Sequence, residues 1–210
     1  MAEPGGSAFE SAKRGLKDTF TGAMGALVIM LVMVGGMWLL EIVDYLLPGY
    51  MDYGIRSWSL SGLTGIVTGP FLHFGFDHLI GNSLPLLVLG FLAAFRGLGK
   101  FLAATGIIML IGGLGPWIFN PPGVNTLGAS GLVFGYFGYV LGRGLFDRRV
   151  IDMLIAVGVA AVYSWILWGV LPTDERISWQ GHLFGLIGGL VGAWLLRRRK
   201  TPAVLPEPTW

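Results

Sequence analysis

The sequence predicts an all-α polytopic membrane protein, a bundle of six transmembrane helices. Three observations lead there: the composition, six apolar runs of spanning length, and the one-sided placement of the basic residues. Of 210 residues, 54% are hydrophobic and 12% charged, and the mean hydropathy is +0.70. A water-soluble domain is roughly 45–50% apolar and about 25% charged. Half that charge leaves too few polar side chains to coat one water-facing surface. The 14 Lys and Arg against 12 Asp and Glu are too small an excess to suggest a nucleic-acid partner. The absence of cysteine excludes disulfides, thiol catalysis and thiolate metal sites.

A helix needs about 20 apolar residues to cross roughly 30 Å of hydrocarbon. Runs near 21–47, 74–95, 101–119, 128–146, 150–171 and 179–196 qualify. The first is too long for a signal peptide and ends in Glu41 and Asp44. Exposure at the outer interface accounts for both acids without a further role. Between the fourth and fifth runs, Arg143, Asp147, Arg148 and Arg149 crowd together. Such a cluster does not sit in lipid, so it reads as a short turn.

Lys13, Arg14, Lys17, Arg96, Lys100, Arg143, Arg148, Arg149 and the Arg197 to Lys200 run fall on one side of the alternating spans. Only Arg56 and Arg176 fall on the other. Basic residues stay in the cytoplasm, so both termini are expected there, in a cell membrane. Spans two, four and six then run from the outer face inward. Residues 1–20 and 197–210 read as short cytoplasmic tails around a membrane domain at 21–196. The segment 48–73, with Tyr50, Met51, Tyr53, Ile55, Trp58 and Leu60, reads as a structured loop at the outer interface.

All three histidines lie at the outer ends of inward-running spans: His73 and His78 at span two, His182 at span six. Ser130 opens span four at the same level. A single intramembrane polar residue commonly makes a helix-to-helix hydrogen bond. Four at one depth can instead meet in one water-reachable pocket. Gly131, Gly135, Gly138 and Gly142 form a bare stripe on span four that could lie against a similar one on span six, Gly185, Gly189 and Gly192. Close packing of these bare faces would carry Ser130 toward His182. A serine hydroxyl becomes a nucleophile when a positioned base takes its proton, and neutral imidazole is the usual base. His78 and Asn82, four apart on one helix face, can donate to an oxyanion, as can the Ser130 backbone N–H. Asp77 is a poor third triad member, because it points about 100° away from His78 around the helix.

At these residues the sequence resembles the rhomboid intramembrane serine proteases. His73, His78 and Asn82 match the family's H-x4-H-x3-N signature, Gly128 to Gly131 its G-x-S-G motif, and His182, Gly185 and Gly189 its H-x2-G-x3-G helix. The resemblance implies a rhomboid-like bundle in which Ser130 is the nucleophile and His182 the base. It implies an oxyanion hole of His78, Asn82 and the Ser130 backbone, with His73 structural and helping to hold the first loop. No metal or other cofactor is implied. Expected partners are the lipid bilayer and single-pass transmembrane substrates, with the site opening toward the outer face. Two positions depart from the family. The stretch 63–66 lacks a Trp-Arg pair, and Phe134 stands where many relatives stack a tyrosine on the catalytic imidazole. A catalytically silent relative that binds or escorts membrane proteins is the alternative, and it would have no need of both Ser130 and His182. A transporter would carry coupled charges near mid-membrane, where this chain has aliphatic, aromatic and glycine residues.

Overall fold

The computed structural model describes residues 4–47, 53–95, 97–173 and 177–198. Six long helices form the frame among these residues: α1 (Pro4–Leu46), α3 (Phe76–Ala94), α4 (Leu98–Phe119), α5 (Ser130–Asp147), α6 (Val150–Tyr163) and α7 (Trp179–Leu195). A one-turn helix, α2 (Gly65–Thr68), lies in the first loop, and α6 continues as a 3₁₀ segment over Ser164–Val170. Helix α1 starts well ahead of the expected boundary at residue 21. The stretch after Gly6 includes the helix formers Ala8, Glu10, Ala12, Lys13, Arg14, Leu16 and Lys17 with no proline, and an exposed Glu10 to Lys13 contact of 3.6 Å adds a weak local pair. Tyr50, Met51, Arg96, Arg176, Arg199 and Lys200 lie outside the described residues.

Among the described residues, four stretches are long and apolar enough to cross a membrane: Phe20–Leu46, Phe76–Ala94, Leu98–Phe119 and Val150–Val170. Helices α5 and α7 differ for a physical reason. With five glycines plus Arg143 and Asp147, α5 is less apolar, while α7 has only 17 residues. Most of α5 is buried in the protein, including Leu132, Val133, Phe134, Tyr136, Phe137, Tyr139 and Val140. Its side chains meet other helices, so lipid does not dictate their hydropathy.

Helix α7 is wedged between α4 and α5. A methyl group on Gly189 would overlap the Gly135 carbonyl oxygen, and one on Gly185 would overlap the Gly131 main chain. The two glycine faces therefore touch backbone to backbone. A second close approach, absent from the sequence reading, joins α7 to α4: a Cβ at Gly112 would lie 3.3 Å from Gly185 Cα, and one at Gly188 3.0 Å from Ile108 Cα. Gly135, assigned by sequence to the α7 face, directs its missing side chain at Ile108 of α4. The apolar core fills the space among α1, α3, α4 and α5 around Met30, Leu86, Leu89, Phe101 and Tyr136. Within it, the Thr105 and Tyr136 hydroxyls are hydrogen-bonded at 2.9 Å, and Thr105 Oγ1 also lies 2.8 Å from the Phe101 carbonyl it donates to.

Arg143 corrects the sequence reading. The turn between α5 and α6 is confined to Arg148, which adopts φ 50°, and Arg149. Arg143 lies inside α5 and is buried, forming a salt bridge with the buried Asp152 of α6 and donating to the Leu92 carbonyl of α3 at 3.1 Å. An ionised side chain is tolerated at such a place when a counter-charge and a carbonyl receive it. Removing one partner leaves an uncompensated buried charge, typically a loss of about 3–5 kcal/mol. Asp152→Ala is therefore expected to lower the thermal unfolding midpoint of the lipid-reconstituted protein sharply. The double variant Arg143→Met/Asp152→Leu should recover much of that loss.

In the first loop, strand β1 (Ile55–Arg56) pairs antiparallel with β2 (Asn125–Thr126), with Ile55 opposite Thr126. Trp58 stacks on Trp117 with ring centroids 6.3 Å apart, and its indole donates to the Asn120 carbonyl at 3.1 Å. These contacts anchor the loop to α4 and to the segment that leads into α5.

Candidate active site

The turn before α5 sets Ser130. Gly128 has φ +124°, a left-handed value that favours glycine, and a Cβ there would lie 2.5 Å from the His78 ring. The Gly128 N–H donates to the Gly69 carbonyl at 2.9 Å, and the Ala129 N–H to His73 Nε2 at 3.2 Å. His73 thus ties the first loop to the turn carrying the serine. Burial, and after it the neighbouring His78, holds the His73 imidazole down to about 4. Neutral at physiological pH, it keeps a lone pair for the Ala129 N–H. Ser130 then opens the helix, where the first N–H groups have no carbonyl one turn earlier to bond.

His182 stands in the first turn of α7, whose start is capped by Ser178 accepting the Gly181 N–H at 3.2 Å. Its Nε2 lies 2.8 Å from Ser130 Oγ. Its Nδ1 lies 2.8 Å from the Gly169 carbonyl oxygen. Phe134, one turn after Ser130, covers the imidazole face to face, with centroids 4.2 Å apart and planes 10° from parallel. Phenyl stacking thus fixes the ring without a hydroxyl.

On α3, His78 meets the ring of His73, which precedes the helix, edge to face at 5.1 Å. His78 Nδ1 faces the Phe74 N–H at 3.5 Å, leaving Nε2 beside Gly128. Asn82 is 8% exposed, and its Nδ2 has no hydrogen-bond partner among the described residues. A buried amide donor without a partner is costly unless a ligand or water completes it. Ser130, His182, His78, Asn82, Gly128 and Gly131 all line one cavity of ≈ 1100 Å³, which Asp77 also reaches. Gly185 and Gly189 stand behind the pair as the packing surface of α7.

One sequence reading near the site misses its mark. Glu41 is 5% exposed and faces the main chain at Gly75, ahead of α3, so solvent exposure does not account for it. The functional group of Gly169 is its main-chain carbonyl, which has no side-chain signature of its own in the sequence.

Residues 60–199 match the rhomboid domain. The chain is 42% identical over 176 residues to an uncharacterized protein of Mycobacterium tuberculosis, covering 80% of this chain and 73% of that one. It is 30% identical over 139 residues to the rhomboid protease GluP of Bacillus subtilis, covering 66% of this chain and 27% of that one. With the rhomboid protease GlpG of Yersinia enterocolitica it shares 32% identity over 133 residues, 61% of this chain and 46% of that one. The helical bundle, its membrane-length apolar helices and these matches lead to one conclusion: the chain belongs to the rhomboid family, a family of intramembrane serine proteases.

Proposed function

We propose that this protein is a serine endopeptidase that hydrolyses peptide bonds in or near the transmembrane helices of single-pass membrane proteins. The observation that carries the reading is the 2.8 Å contact between Ser130 Oγ and His182 Nε2 at the wall of a cavity shared with His78 and Asn82. His182 takes the Ser130 proton as Oγ attacks the scissile carbonyl. The negative charge gathers on the substrate oxygen and is received by the Ser130 N–H, Asn82 Nδ2 and the His78 ring. The protonated His182 then delivers its proton to the leaving amine. The ester left on Ser130 is hydrolysed by water through the same base. A silent escort protein would have no use for this contact.

In this reading all six long helices span the bilayer, 21–196 forms the catalytic domain, both ends are cytoplasmic, and the pocket opens near the outer face. A substrate helix hides each scissile carbonyl in its own i→i−4 hydrogen bond. It must unwind before Ser130 can reach it. With the fuel-free chemistry of a Ser–His pair, the weakness comes from the substrate, where Gly costs a helix about 1 kcal/mol and Pro about 3. Purified protein in lipid should cleave such a substrate near the outer end of its helix, after a small residue followed within about two turns by a helix breaker. Changing those breakers to Leu should slow cleavage sharply. An unchanged rate, or a cut at the cytoplasmic end, would contradict the reading.

A further inference from the structure

A carbonyl oxygen has lone pairs and no hydrogen. Because His182 Nδ1 lies 2.8 Å from the Gly169 oxygen, that nitrogen must carry the ring proton, and Nε2 must present its lone pair to the Ser130 hydroxyl. This is the tautomer a general base needs. In serine hydrolases with a triad, a carboxylate enforces it. Here Asp77 reaches the same cavity, yet the imidazole N–H goes to the main chain.

The sequence explains why that carbonyl is available. Gly169 lies in the 3₁₀ segment Ser164–Val170, where each carbonyl ordinarily accepts from the N–H three residues on. Three residues on stands Pro172, which has no N–H. The Thr173 N–H turns instead to the Leu171 carbonyl at 2.8 Å, and the Leu171 N–H to Trp168 at 3.1 Å. The main chain leaves the Gly169 carbonyl over, and the imidazole takes it. Glycine is also required for space: a Cβ at 169 would lie 2.9 Å from both His182 Nδ1 and Phe134 Cζ. Ile166 anchors the segment inward, while Trp165 and Trp168 face outward at 62% and 73% exposure.

We infer that the main-chain carbonyl of Gly169, presented by the 3₁₀ extension of α6, takes the place of the triad carboxylate as the group that positions His182. The inference rests on the protease reading of Ser130 and His182. When the Ser130 proton moves to Nε2, both ring nitrogens carry hydrogen. The carbonyl dipole then stabilises the imidazolium until Nε2 passes its proton to the leaving amine. Substrate does not touch Gly169 in this scheme, so its effect falls on turnover and leaves KM unchanged.

Nitrogen NMR of the full chain, labelled at histidine and reconstituted in lipid, reads the tautomer directly, with the His182 signals identified by their loss in His182→Gln. The wild type should show Nδ1–H. An Nε2–H tautomer overturns the inference with no further variant. Replacing the Gly169–Val170 peptide bond with an ester, by placing the hydroxy-acid analogue of valine at 170, weakens the acceptor and adds no bulk. That chain should lose kcat roughly tenfold or more, the scale of a charge-assisted hydrogen bond, with KM held and more Nε2–H tautomer. Gly169→Ala, which displaces the ring, should cost about 10²-fold in kcat. Unchanged kcat and tautomer in the ester chain would overturn the inference. Cleavage surviving Ser130→Ala would instead sink the protease reading, and the tautomer result would stand apart from it.

Discussion

Ser130→Ala and His182→Ala should each abolish detectable cleavage of a transmembrane substrate, a loss of about 10⁴–10⁶ in kcat. The magnitude follows from what each side chain does in the proposed reaction. Without Oγ no ester can form. Without Nε2, Oγ loses the hydrogen-bond partner that would accept its proton. The two losses should not add in the double variant, because the groups act as one unit. Turnover of purified protein in vesicles, read by the appearance of the product fragment, checks both. Equal rates in wild type and Ser130→Ala would favour a silent binding role.

Asn82→Ala is expected to lower kcat by roughly 10²–10³ and leave measurable activity, the range for loss of one oxyanion donor. Its Nδ2 is buried at the cavity without a partner among the described residues, as the proposed oxyanion role requires. KM should change little. His78 shares the proposed task but also packs on His73 and over Gly128, so its removal would disturb the serine turn as well. Asn82 is the cleaner probe. A loss confined to KM would reassign Asn82 to substrate binding.

The residues legible in the sequence are those that hydrocarbon would exclude without a reason. His78, Asn82, Ser130 and His182 stand out against apolar neighbours; the spacing of four puts the first two on one helix face, and a common depth with glycine-faced helices points all four to one cavity. The glycine faces of α5 and α7 were legible for a different reason, as a small-residue pattern repeated along one helix. What stayed hidden depends on partners distant in the chain or lacking side chains. Arg143 reads as a loop charge until the turn at Arg148 brings Asp152 back against it. Glu41 reads as exposed until the start of α3 covers it. Gly112 and Gly188, on different helices, show no shared pattern before α7 wedges against α4. For Gly169 the available signal was Pro172, which withdraws the donor its carbonyl would otherwise meet.

The central claim is that Ser130 is a nucleophile because His182 makes it one. Covalent labelling with an organophosphonate reagent, followed by peptide mapping in a mass spectrometer, tests that claim without any assumption about the substrate. The wild-type protein in lipid should carry one adduct, on Ser130, and His182→Ala should carry none under the same exposure. An adduct on a different serine, or Ser130 labelling that proceeds equally without His182, would contradict the account.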